Sequence, residues 1–123
     1  MKEKVEAIID LIEDNLHQDL SLDELARCVN LTPSHLCYLF KTHKEISPMQ
    51  FLKICRLEKA CDLLETTILS IKEITAQVGI KDESHFMRDF KKFYGLTPSQ
   101  YRAQNFNLKQ AEHYINKQNR NNG

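Results

Sequence analysis

Nine side chains of this 123-residue sequence form two matched sets about fifty positions apart. The first set is Ser34, Cys37, Tyr38 and Lys41. The second is Glu83, Ser84, Met87, Arg88 and Lys91. Within each set the spacing is that of one outward helical stripe, with members three and four residues apart. The chemistry on offer is recognition by hydrogen bonding and charge. Arg88 can place a bidentate guanidinium on guanine O6 and N7, a contact that carries about 1–3 kcal/mol of discrimination. Tyr38 can touch a thymine methyl or a phosphate, or pack half-buried against the neighbouring turn. Ser34 and Ser84, close to helix starts, suit a phosphate or a base edge. Lys41, Lys91 and Lys92 fit as phosphate neighbours. Glu83 can accept from cytosine N4, although a first-turn carboxylate also stabilises the helix dipole. Met87 can pack on a thymine methyl. Cys37 is read as a small residue that fits against a sugar, ahead of a thiol whose oxidation blocks docking. His35 and His85 also match, but no second ligand lies at fixed spacing, so packing or a phosphate contact fits them better than a metal.

The segments that must position these residues repeat too. Leu25 to Leu31 is followed by Ser34-His35-Leu36 and Phe40-Lys41; Ile74 to Ile80 is followed by Ser84-His85-Phe86 and Phe90-Lys91, with one extra residue in the second turn. Each copy has a helix, a residue that can take positive φ (Asn30, Gly79), an apolar residue and a second helix opened by a cap. That is the helix-turn-helix plan, whose second helix enters a DNA major groove. Helix starts match between the copies. Ser21-Leu22-Asp23-Glu24 and Ser70-Ile71-Lys72-Glu73 read as capping boxes. Ser47-Pro48-Met49-Gln50 and Thr97-Pro98-Ser99-Gln100 place an N-cap, then Pro at N1 and Gln at N3. Thr32-Pro33 and Asp82-Glu83 open the two reading helices. The spacing predicts an all-α fold of about seven helices, over 2–17, 22–29, 33–43, 48–65, 71–78, 83–93 and 98–115. Leu36, Leu39 and Phe40, and Phe86, Phe90 and Phe93, are expected to face the core. Two helix-turn-helix subdomains, over 1–46 and 67–115, are expected to flank a linker helix at 47–66. The polar stretch 116–123 is expected to be disordered. At about 1.5 Å per residue the linker helix would span roughly 27 Å. That suits two reading helices one turn of B-DNA apart, about 34 Å.

Net charge is zero, but residues 1–30 carry three basic and eight acidic side chains, a net of 3 − 8 = −5. Residues 31–123 carry 14 − 9 = +5. Local fields steer phosphate binding more than the total does. Cys28, Cys37, Cys55 and Cys61 form no C-x-x-C pair and read as reduced thiols of a cytoplasmic chain, without a structural metal. No run of about 18 apolar residues offers a membrane span, and no signal peptide opens the chain. There is no nucleophile–base pair, phosphate loop or paired carboxylate, which argues against an enzyme.

The run Arg56 to Leu64, then Ile71 to Val78, Gly79, Asp82, Phe86, Arg88, Phe90-Lys91-Lys92, Gly95, Thr97-Pro98-Ser99 and Tyr101-Arg102, resembles the DNA-binding domain of the AraC/XylS family of bacterial transcription regulators. The first half adds Leu22, Leu25-Ala26, Leu36, Phe40-Lys41, Ser47-Pro48 and Phe51, so the resemblance covers about residues 5–103. It implies two helix-turn-helix subdomains on a linker helix and an asymmetric double-stranded DNA site. It also implies a transcription regulator, expected to be an activator, often in contact with RNA polymerase. No cofactor is implied. A monomer is expected for this length of chain, and a dimer if it belongs to a longer protein. The sequence departs from the family at Glu45, where Gly is usual, and at Thr75, Ile80 and His85. The alternative is a helical protein-interaction module that keeps the fold without specific DNA binding, suggested by the acidic first helix.

Overall fold

The computed structural model describes residues 2–122, with the side chains of 114 and 118–122 outside the described set. The described residues form helices only. They are α1 (Lys2–Asp14), α2 (Leu22–Cys28), α3 (Pro33–Lys44), α4 (Pro48–Thr66), α5 (Ile71–Gln77), α6 (Glu83–Tyr94), α7 (Pro98–Asn105) and α8 (Leu108–Asn122).

The helix starts follow from side-chain caps. Ser21, Thr32, Ser70, Asp82 and Thr97 each accept a hydrogen bond from the backbone N–H three residues on, within 3.0–3.1 Å for the first four and 3.2 Å at Thr97. Each satisfies one of the four N–H groups that a helix start leaves unpaired. The box is reciprocal at Ser70, where Glu73 accepts from the Ser70 N–H, and at Ser47 and Thr97, through Gln50 and Gln100. At Ser21 only the serine half forms, because Glu24 does not return to the cap. The expected full box at Ser21 is therefore a simple N-cap.

The chain divides into two compact units, residues 1–56 and 57–123, and the division falls inside α4. The expected boundaries, with α4 as a separate linker, differ from this because α4 gives buried apolar residues to both cores. Its Leu52 packs in the first core with Val5, Ile8, Ile12, Leu25, Leu36 and Phe40. Its Leu57, Ala60, Leu63 and Leu64 pack in the second with Ile74, Val78, Phe86 and Phe90. Burying each large side chain contributes about 1.5–3 kcal/mol. Residues spaced to serve both cores leave no stretch of the helix as a bare spacer.

Two arginines close the helix ends by the same means. In the first unit Arg56 donates from Nε to the Leu16 carbonyl at 3.0 Å and from Nη2 to the Gln18 carbonyl at 2.7 Å, in the loop after α1. In the second, Arg102 donates from Nε to Leu64 at 3.1 Å and from Nη2 to Thr67 at 3.2 Å, at the end of α4. Burial lowers the pKa of both guanidinium groups, partly offset at Arg56 by the charge of Asp19. Three other late carbonyls of α4 are also taken. Thr66 Oγ1 donates to Asp62 and Thr67 Oγ1 to Leu63, and the Asn107 N–H reaches Glu65 at 2.7 Å.

The last helix differs from expectation. In place of one helix over 98–115, the chain breaks at Phe106, which takes extended backbone at φ −63°, ψ 131°. It restarts at Asn107, whose Oδ1 accepts from the Gln110 N–H at 3.1 Å. At the break the Asn107 N–H goes to the Glu65 carbonyl of α4 and not to a carbonyl of α7. Helix α8 then runs on to Asn122, past the position where the polar tail was expected to lose structure, with no Gly or Pro before Gly123 to stop it. Gly123 lies outside the described residues.

Candidate nucleic-acid interface

Each unit holds one helix–turn–helix, α2–α3 in the first and α5–α6 in the second. The turns are built by one device. Asn30 and Gly79 sit at φ 56° and 82°, the left-handed region. The N–H three residues beyond each helix then reaches back, Leu31 to Ala26 at 3.0 Å and Ile80 to Thr75 at 2.9 Å. Asn30 bonds Arg27 at 3.2 Å and Gly79 bonds Ala76 at 3.4 Å. This six-to-one and five-to-two pair is a Schellman motif, and Leu31 and Ile80 then pack on their respective cores. Such a turn sets the angle at which the second helix leaves. Thr75, standing where the family usually has Ala, is buried, and its hydroxyl donates to the Lys72 carbonyl at 2.8 Å. The polar group therefore costs little.

On α3 the buried residues are Leu36 and Phe40; on α6 they are Phe86 and Phe90. At 100° per residue the point opposite this buried pair is Tyr38 on α3 and Arg88 on α6. Tyr38 is 69% exposed. Ser34, Lys41, Glu83, Ser84, Arg88 and Lys91 are exposed as well. Arg88 has neither ion-pair nor hydrogen-bond partner among the described residues, so its guanidinium is available. Cys37 and Met87 hold matched positions on the flank of the stripe and are half-buried; Met87 packs against the second core. Both present an edge to solvent, not a full side chain. Within each unit the expected residues therefore share one surface, with these two set back from it.

Phe93 is the exception among the expected core residues. It is 49% exposed, and Tyr94 turns inward in its place, with its ring centroid 4.7 Å from Phe90. Phe93 and Tyr94 share the last turn of α6, and it is Tyr94 that packs against the second core. Two neighbours of the stripe escaped the sequence reading. The Thr42 hydroxyl donates to the Tyr38 carbonyl at 2.7 Å, four residues back. His85 Nε2 lies 3.3 Å from Asp89 Oδ2, an i, i+4 pair beside Arg88 that could have been read from its spacing.

Positive charge gathers at the far end of α3 and of α6. Lys41, His43 and Lys44 occupy the last turn of α3, and Lys91 and Lys92 that of α6. Cations there also interact favourably with the helix dipole. The four cysteines are unbridged; Cys28 is exposed, Cys37 and Cys55 are half-buried and Cys61 is buried. Burial pushes the Cys61 thiol pKa up, and burial likewise raises Tyr94 and Tyr101 beside it. That cluster belongs to the core of the second unit and not to the outward surface. Among the described residues, no helix is long and apolar enough to cross a membrane.

Comparison with known proteins places this architecture. The helix-turn-helix domain family matches residues 25–104. The lactose operon transcription activator of Staphylococcus xylosus is 34% identical over 102 residues, covering 83% of this chain and 37% of that protein. The C-terminal domain of AraT, a response regulator from Geobacillus stearothermophilus, superposes with a TM-score of 0.80 at 34% identity, covering 85% of this chain and 87% of that one. A transcriptional regulator from Chromobacterium violaceum, described as having an AraC-type DNA-binding domain, gives a TM-score of 0.79 at 30% identity, covering 85% and 93%. The chain spans about a third of the length of the curated relatives it matches. Two Schellman-turned helix pairs, matched caps and this likeness together show that the chain belongs to the AraC/XylS family of helix-turn-helix transcription regulators.

Proposed function

We propose that this chain is a sequence-specific reader of double-stranded DNA that activates transcription. It lays α3 and α6 in successive major grooves of an asymmetric site. The observation that carries this reading is the matched surface of the two second helices, each with its core residues on one side and Tyr38 or Arg88 directly opposite. Arg88 reads guanine, and Ser34, Ser84, Glu83, Cys37 and Met87 add edge and methyl contacts. Lys41 and Lys91 grip phosphate. One polypeptide can then do what many helix-turn-helix proteins need a dimer to do. The activator role is supported by the name of the Staphylococcus xylosus relative and suggests contact with RNA polymerase in the bacterial cytoplasm.

The test is selection from a random duplex pool, followed by titration of the selected site across salt. Enrichment of two blocks about one helical turn apart, with affinity falling steeply as salt rises, is the expected result. Arg88→Ala should weaken the selected site by about 1–3 kcal/mol and relax preference at one position. A pool with no enrichment and binding that is weak and flat in salt would overturn the reading in favour of an interaction module.

A further inference from the structure

The reading helices are matched in frame but opposed in chemistry at their most outward position. Arg88 on α6 presents a charged, planar donor fork to solvent. Tyr38 on α3 presents a neutral aromatic ring. Neither side chain has a hydrogen-bond, ion-pair or ring partner among the described residues, so each is available to a base. The base edges differ in the same sense. Guanine offers two acceptors, O6 and N7, that suit a guanidinium, whereas thymine offers a methyl group that suits an apolar surface. Other polar side chains of α3 do not supply a guanine reader specific to this half. His35 is matched by His85 on α6 and so does not distinguish the two helices. Lys41 lies in the last turn, among the cations placed for phosphate. Cys37, set back beside Tyr38, extends the uncharged surface.

We infer that the two halves of the operator are of opposite base character: a guanine-containing half-site read by Arg88 and a thymine-bearing half-site read by methyl packing on Tyr38. This rests on the proposed DNA reading and assigns the base class of each half. The two contacts should also differ in strength. Loss of a bidentate guanine contact reduces affinity about 5- to 150-fold. Loss of one buried methyl reduces it about fourfold. The guanine half therefore sets most of the specificity, and the thymine half fixes orientation along the duplex.

Base analogues test this directly on the site selected from the random pool. Deoxyuridine in place of thymine, in the block that lacks the Arg88 guanine, removes only the methyl; 7-deazaguanine in place of guanine removes N7. Binding of the unmodified protein, Tyr38→Ala and Arg88→Ala is measured on all three duplexes. Both positions are exposed, so neither variant threatens the fold. The expected result is about fourfold weaker binding per uracil for the unmodified protein, with no uracil effect in Tyr38→Ala. The deazaguanine effect should vanish in Arg88→Ala while the uracil effect survives there. Uracil and thymine duplexes bound equally by the unmodified protein would overturn the inference, as would a uracil effect that persists in Tyr38→Ala. Both results leave sequence-specific binding standing. A pool that yields no site at all would overturn the DNA reading itself and this inference with it. Equal loss on every sequence in Tyr38→Ala, with no uracil effect, would make Tyr38 a phosphate contact and reject the thymine assignment.

Discussion

Helix α3 ends on Glu45 at φ 68° where α6 ends on Gly95 at φ 75°, and among the described residues it packs Phe40 against one ring where α6 packs Phe90 against three. The scaffold under these differences is nearly constant. Caps at Thr32 and Asp82, Schellman turns through Asn30 and Gly79, and final bonds from Glu45 to Lys41 and from Gly95 to Lys91, both at 2.8 Å, recur in both units. What varies is the packing behind the reading helix and the side chain in front of it. The backbone that aims the helix is thus separable from the residues that give it stability and chemistry. The second unit has the richer version of each.

The largest expected effect breaks the core comparison. Phe40 and Phe90 are both fully buried. Truncating either to Ala should cost about 3–5 kcal/mol in denaturant unfolding. Phe90→Ala should cost more, because Phe90 also meets Phe86, Tyr94 and Tyr101 at 5.6, 4.7 and 5.5 Å, whereas Phe40 meets Phe51 at 5.5 Å. Each favourable ring pair adds about 0.5–1.5 kcal/mol beyond burial. Equal losses would show that the aromatic cluster fills volume and adds nothing specific.

Next in size are the two arginine clamps. Arg56→Leu and Arg102→Leu each keep an apolar stem but leave carbonyls without a donor at a helix end. Hydrogen bonds from a charged group contribute about 1.5–3 kcal/mol, so a loss of about 2–3 kcal/mol is expected for each, read by the same unfolding curves. Lys at either position should recover only part, since a point charge cannot fork to two carbonyls. Full recovery by Lys would mean that charge at the helix end matters and the paired geometry does not. The two clamps should be equivalent, in contrast to the two phenylalanines.

Much of this was readable from local signals. Caps and left-handed turns depend on residues within four positions of each other, so Thr32, Asp82, Asn30 and Gly79 could be placed from the sequence alone. The outward stripe was legible for the same reason, since helical periodicity puts Tyr38 and Arg88 opposite Leu36 with Phe40 and Phe86 with Phe90. What escaped depends on contacts distant along the chain. Arg56 reaches back 40 residues to Leu16 and Arg102 reaches 38 to Leu64. The break at Phe106 is set by Asn107 meeting Glu65. Phe93 fits the apolar spacing of α6, but the last turn packs Tyr94 instead, and periodicity does not say which of two adjacent aromatics a core takes. Cys37 and Met87 are placed on the right face but at its flank, a distinction of about 100° that a three- and four-residue stripe does not resolve.

The smallest effect isolates the backbone, and its two changes have opposite signs. A residue with a Cβ in the left-handed region carries strain of about 1–2 kcal/mol, which glycine avoids. Glu45 carries that strain and Gly95 does not. Glu45→Gly should therefore stabilise the first unit, by less than the full strain, because glycine also gives the unfolded chain more freedom to lose. A gain of about 0.5–1 kcal/mol in unfolding free energy is expected. Gly95→Ala should destabilise the second unit by a similar amount. The space around Gly95 makes this test clean, since a Cβ built there meets nothing within 4 Å, so no clash can contribute. Both sites are exposed, which removes burial from the comparison. If Glu45→Gly is instead destabilising while Gly95→Ala behaves as expected, the Glu45 side chain holds a contact that outweighs its backbone strain. The two helix ends would then be alike in geometry and different in what stabilises them.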